Sequence, residues 1–154
     1  MKRLLLLVAL VTSCGAFAGT LAYDPAADAR ADVQRALTEA KASHRPVLLI
    51  FGANWCEDCR ALDAALKSGR NGALVAREFN LVKVDVGNFD RNLDVAMAYG
   101  DPIARGIPAA VIVAPDNRIL FSTRAGELAD ARRMSITGVH DFFARAAQAA
   151  KASR

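Results

Sequence analysis

The chain has no apolar run of the ~20 residues needed to cross a bilayer. Its longest such run, Leu4 to Val11, is far shorter. Cysteine is scarce, with Cys14, Cys56 and Cys59 the only three in 154 residues. There is no second cysteine pair, and the two histidines, His44 and His140, fall in unrelated segments. A structural zinc site wants four ligands, so this shortage argues against one. Basic residues beyond Lys2-Arg3 are scattered, and their longest run is Arg132-Arg133. A nucleic-acid surface wants Lys and Arg gathered with aromatics to stack on, and none is expected here. Repeats and low-complexity segments are also missing. What remains is the composition of one globular domain, 53% hydrophobic and 23% charged, long enough to build a core without staples.

The first residues follow the order of a secretory signal: Lys2 and Arg3, then the apolar run, then small residues. Residues 1–18 are therefore expected to be a signal peptide, and 19–154 the mature domain. Two cleavage readings stay open. Ala16-Phe17-Ala18 before Gly19 fits a small-x-small site, whereas Val11-Thr12-Ser13-Cys14 resembles a lipobox whose Cys14 would be lipidated. In either case the mature protein is expected outside the cytoplasm, in the periplasm or otherwise exported, and at the membrane only if Cys14 carries a lipid. Without the two basic residues of the signal, 18 basic and 16 acidic residues leave a net charge of +2.

Along the mature chain, Asp24-Pro25 is expected to open a helix with Val33, Ala36, Leu37 and Ala40 inward. Val47 to Phe51 reads as a strand buried on both faces. A helix follows from about Cys56 to Lys67, then a loop over residues 68–72 and a short helix near Ala73 to Phe79. Leu81 to Val86 alternates as a strand. Arg91 to Tyr99 is helical in pattern, and Ala109 to Ala114 and Ile119 to Thr123 flank a turn as a hairpin. A last helix is expected to be capped near Thr137. Strands alternating with helices imply a parallel central pair, and the hairpin adds an antiparallel edge. The expected class is α/β, a mixed sheet of about four strands flanked by helices.

Cys56 and Cys59 close too small a loop to serve as an efficient staple, because the entropic benefit grows with loop length. Chemistry explains them better. Cys56 at the first turn of a helix meets unpaired backbone N–H groups, which lower the pKa of its thiol and favour the attacking thiolate. Three positions on, Cys59 returns to the same face, close enough to form a disulfide and to resolve a mixed one. Cys56 is the expected nucleophile and Cys59 the resolving thiol.

These residues and their setting resemble the thioredoxin family. The likeness runs from about Val47 to the last helix. It rests on an apolar strand ending in Phe51, on Trp55-Cys56-x-x-Cys59, on Val82-Lys83-Val84-Asp85, on Gly106-Ile107-Pro108, and on Gly126 after the hairpin. The resemblance implies thiol–disulfide exchange with no bound cofactor and no metal. It also implies a cis Pro108 facing the cysteines, and an Ile107 backbone free to pair with a substrate strand. Trp55 would cover the rim. Disulfide-containing exported proteins would be the clients, with a redox partner such as a membrane thiol reductase to carry electrons.

Departures from the family pattern carry information. Glu57-Asp58 stands between the cysteines where cytoplasmic thioredoxins have Gly-Pro. Two carboxylates beside Cys56 disfavour its thiolate, so the pair is expected on the reducing side. The buried aspartate of the family would fall at Ile50 and is absent, although Lys83 matches the lysine that accompanies it. The Cys59 proton must then go to water or to another carboxylate, for which Glu57, Asp58 and Asp85 are the candidates in that order. The segment Gly87 to Asn92 is rich in side-chain oxygens but lacks the spacing of a calcium loop, and turn chemistry accounts for it. A second reading makes the pair a copper-handling module, with both thiolates on a soft ion such as Cu(I). The lack of an added His or Met beside the cysteines argues against it.

Overall fold

The computed structural model describes residues 21–153, so the expected signal segment and Cys14 lie outside the described residues. The first helix, α1 (Ala29–Ser43), leads into strand β1 (Val47–Gly52). Helices α2 (Glu57–Lys67) and α3 (Gly69–Glu78) then cross over to β2 (Asn80–Asp85). Helix α4 (Leu93–Ala98) and a 3-10 turn at Pro102–Arg105 lead to the hairpin of β3 (Ala109–Val113) and β4 (Ile119–Ser122). A second 3-10 turn at Ala131–Arg133 precedes the closing helix α5 (Ile136–Ala152).

The four strands form one mixed sheet in the order β2-β1-β3-β4. β1 and β2 run parallel, with Val47 opposite Asn80 and Ile50 opposite Lys83. β3 is antiparallel to both β1 and β4. This is the expected α/β class with its N-terminal helix. Every residue of β1 and of β3 is buried, so helices must cover both faces of the sheet. Phe51, Leu48, Leu49, Ile50 and Ile112 lie at its centre. Each such side chain contributes about 1.5–3 kcal/mol on full burial. α2, α3 and α5 pack on one another, while α1 lies along β1 and β2 and reaches α4 through the Arg30–Asp94 ion pair.

Several element boundaries shift by one or two residues, and three differences have a clear local reason. α1 starts at Ala29 rather than at Pro25, because Asp28 is the residue that caps it, accepting from Ala31 N at 3.0 Å. Asp24 instead closes a turn, accepting from Ala26 N at 2.9 Å. The loop expected at residues 68–72 is the first turn of α3. Its Asn71 is buried and donates to Ala65 O at 3.1 Å and Ile136 O at 3.2 Å, so tertiary bonds override the loop-like composition. The cap of α5 is Ser135, whose Oγ accepts from Gly138 N at 2.9 Å, in place of Thr137.

Candidate active site

The end of β1 delivers the chain to the site. Ala53 to Trp55 turns, Cys56 N donates to Ala53 O at 3.2 Å, and α2 begins with Cys56 as its N-cap. The cap is the sulfur itself: Cys59 N donates to Cys56 Sγ at 3.1 Å. A backbone donor at a helix N-terminus is thus aimed at the first cysteine, the arrangement that favours a thiolate. Cys56 and Cys59 are disulfide-bonded, with Cα atoms 5.2 Å apart. Cys59 is wholly buried, whereas Cys56 keeps a small exposed area of 6%. The more accessible sulfur is therefore the one at the helix end.

Opposite the pair stands the loop before β3. The Ile107–Pro108 peptide bond is cis, and Ile107 O lies 3.6 Å from Cys56 Sγ. Trp55, Cys56, Glu57, Asp58, Phe89, Gly106, Ile107 and Arg132 line an open groove of about 450 Å³ over the disulfide. Trp55 is half exposed at its rim, its Nε1 donating to Gly87 O at 2.7 Å and its ring 6.2 Å from that of Phe89. Phe89 belongs to the segment with calcium-like composition. The polar side chains there serve the backbone instead: Asp90 Oδ1 accepts from Asn88 N at 2.9 Å, and Asn92 Nδ2 donates to Asp85 O at 2.7 Å.

The carboxylates divide into different settings. Asp58 is buried and accepts from Arg132 N at 2.9 Å and Arg132 Nη1 at 3.0 Å. Glu57 is exposed, 3.5 Å from the same guanidinium. Asp85 accepts from Gly87 N at 3.3 Å and faces Arg91 at 3.5 Å. Lys83 donates to Ala22 O and to Asp63 Oδ1, both at 2.6 Å. Asp63 lies one helical turn beyond Cys59 on α2, and also receives Lys67 at 2.7 Å. A carboxylate therefore does accompany Lys83, supplied from α2 rather than from the Ile50 position of β1.

Three residues at this site were not singled out from sequence. Asp63 had a signal, the four-residue spacing from Cys59 that puts both on one face of α2. Arg132 stood out only as part of a basic doublet. Tyr23, buried beside Gly52, sits in a lead-in with no periodicity to mark it.

Comparison with known proteins agrees with this geometry. A Thioredoxin-like family model matches residues 28–115. The crystal structure of a disulphide isomerase from Xylella fastidiosa Temecula1 is 55% identical, covers 83% of this chain and 98% of that one, and superposes with a TM-score of 0.82. The oxidised C-terminal domain of Neisseria meningitidis DsbD is 25% identical over 62% of this chain and 82% of that domain, with a TM-score of 0.51. Among the described residues no helix is long and apolar enough to cross a membrane, and no three His, Cys, Asp or Glu cluster as a metal site. A disulfide-bonded pair capping α2, within a fold so closely shared, makes this chain a thiol–disulfide oxidoreductase belonging to the thioredoxin-like family.

Proposed function

We propose that the chain acts on exported, disulfide-containing proteins and begins its cycle with the cysteine pair reduced. The observation that carries this reading is the position of Cys56 Sγ. It accepts from a helix-end N–H at 3.1 Å, lies 3.6 Å from Ile107 O, and opens onto the groove. As a thiolate, Cys56 attacks one sulfur of a client disulfide. A new S–S bond forms to that sulfur, and the other leaves as a thiolate that takes a proton from water. The Ile107 backbone pairs with the client strand beside the sulfur, and Trp55 and Phe89 supply the apolar walls. Cys59, having lost its proton, then attacks Cys56 Sγ. The second client sulfur departs, the client has gained two electrons, and the pair is left as its disulfide. If a different thiolate of the client attacks the mixed disulfide first, Cys56 leaves unchanged as a thiolate and the client carries its disulfide in a new pairing.

Reduction and rearrangement both start from reduced Cys56, so the likeness to a disulphide isomerase at 55% identity supports this side of the cycle. The motif's carboxylates add little electrostatic support, because Asp58 is paired with Arg132 and the exposed Glu57 lies 3.5 Å from the same guanidinium. A dithiol partner, such as a membrane thiol reductase, returns the electrons. Export is supported by the order of charge, apolar run and small residues in 1–18, with cleavage before Gly19 or lipidation at Cys14.

Insulin reduction with dithiothreitol tests the activity: the wild type should accelerate precipitation of the insulin chains, and Cys56→Ser should not. Cys59→Ser in the native cells should trap clients as mixed disulfides. The resting pair should be reduced there. A pair found fully oxidised in those cells would place the protein on the oxidising side.

A further inference from the structure

Tyr23 is 1% exposed, and its hydroxyl has no hydrogen-bond partner among the described residues. Buried polar groups are nearly always paired, so an orphan of this kind asks for a role. Its surroundings supply one. Gly52 has no side chain, and a methyl group there would overlap the Tyr23 hydroxyl and lie 3.0 Å from Cys59 Sγ. Hydroxyl and sulfur thus flank the same methyl-sized volume. The tyrosine is fixed in place by a reciprocal clamp to the active-site turn. Tyr23 N donates to Asn54 Oδ1 at 2.9 Å, and Asn54 Nδ2 donates to Tyr23 O at 2.8 Å.

We propose that the Tyr23 hydroxyl is a hydrogen-bond donor held ready for the Cys59 thiolate, unused in the disulfide and engaged when the pair opens. A disulfide sulfur is a weak acceptor, whereas a thiolate draws a charge-assisted bond. The orphan hydroxyl therefore belongs to the oxidised state alone. During resolution Cys59 gives its proton to solvent, and its sulfur gains the Tyr23 hydrogen bond as the charge forms. It then attacks Cys56 Sγ, forming the internal S–S bond as the client thiolate leaves. Tyr23 donates throughout and never ionises. Burial, then Asp63 of α2 and Asp85 of β2, hold its phenol well above the ordinary tyrosine range. Lys83, the remaining charge facing it, sits 5.9 Å from the ring centre and is itself paired with Asp63.

The consequence for turnover rests on the exchange reading above, but the test of the bond does not need a client. In a Cys56→Ser background Cys59 is the single thiol of the mature chain, and its ionisation is followed by absorbance at 240 nm. Adding Tyr23→Phe should raise the Cys59 pKa by about one pH unit, the scale of one charge-assisted bond. In the intact pair, resolution should slow about threefold at neutral pH, the tenfold loss of thiolate being partly offset by a more basic nucleophile. The rate should recover at higher pH. If Tyr23→Phe does not fold, 3-fluorotyrosine at position 23 keeps the shape and strengthens the donor, and should lower the Cys59 pKa. Superimposable Cys59 titrations with and without the altered phenol would overturn the proposal. Failure to reduce insulin, with the Cys59 shift intact, would instead overturn the enzymatic reading.

Discussion

Asp58 and Arg132 are joined twice, once through the backbone nitrogen of Arg132 and once through its guanidinium. The first bond fixes the path of the loop that carries the 3-10 turn at Ala131–Arg133, and the second neutralises the carboxylate. A residue between the two cysteines is thereby tied to a segment 74 positions away in the chain. The floor of the groove and one of its walls are thus tied together.

Loss of that tie should cost stability. Arg132→Ala leaves the Asp58 carboxylate, only 11% exposed, with one donor instead of two. A drop of about 1–3 kcal/mol is expected for a buried charged group losing a partner, read by urea unfolding of the oxidised protein. Asp58→Asn should cost less, because an amide oxygen still accepts from Arg132 N. Equal stability of Arg132→Ala and wild type would show the contact to be idle.

Lys83 and Asp63 form the second dependent pair, 26% and 12% exposed. Lys83→Met strips Asp63 of its more buried cation and leaves it the exposed Lys67. It should destabilise by about 1–3 kcal/mol, and pairing it with Asp63→Leu should restore part of the loss, as when a buried ion pair is replaced by apolar groups. Urea midpoints of the two single variants and the double variant give the coupling directly.

Thr123 just after β4 is buried, and its Oγ1 accepts from Ala110 N at 2.9 Å while donating to Ala110 O at 3.3 Å. Thr123→Val keeps the shape and removes both bonds, at about 1–3 kcal/mol. Thr123→Ser keeps the hydroxyl and should lose only a methyl contact. The difference between the two in thermal unfolding separates hydrogen bonding from packing.

Glu78 connects α3 to α5 through Lys151 at 2.7 Å and is flanked by Arg77 at 2.9 Å. The bond from Lys151 is the main reason its carboxyl lies below the usual carboxylate range, with Arg77 adding to it and burial opposing it. A lowered folded pKa means that the stabilisation is present above the unfolded carboxylate value and is lost as pH falls through the folded one. Stability should therefore fall below about pH 4.5 partly through this group. Glu78→Gln should be less stable than wild type at neutral pH, and the gap should close in acid. A gap that is constant from neutral pH to pH 3 would contradict the assignment.

The alternation of helices and strands and the placing of Cys56 at a helix start were legible because they rest on short-range rules. The expected parallel central pair is instead corrected by the fold: strand order is a long-range choice, and the central pair, β1 and β3, is antiparallel. Val47 to Phe51 could only be a doubly covered strand, and a Cys-x-x-Cys at a helix start carries its geometry with it. Helix ends were less legible, since Asp24 and Asp28 are both competent caps and only packing of Ala29 and Val33 chooses between them. The polar partners were hidden for a different reason. Asp58–Arg132, Lys83–Asp63 and Tyr23–Asn54 join residues 20 to 74 positions apart. Spacing rules within one element do not reach that far. Sequence placed Asp58 and Asp85 among the candidate proton acceptors, whereas in the fold each is engaged by an arginine and a backbone N–H.

Among the described strands, β2 and β4 end the sheet, and each leaves a row of backbone groups with no neighbouring strand. Such borders invite a second molecule to add itself, the first step toward aggregation. β4 is only four residues long, and an irregularity between Ile112 and Val113 disturbs its ladder. β2 is longer and shows Leu81 to solvent, but it carries the charge of Lys83 at its middle. A charge on an edge strand works against such pairing, so its removal is expected to weaken the protection of this edge. Concentrated Lys83→Met protein should scatter light sooner than wild type even below its melting temperature.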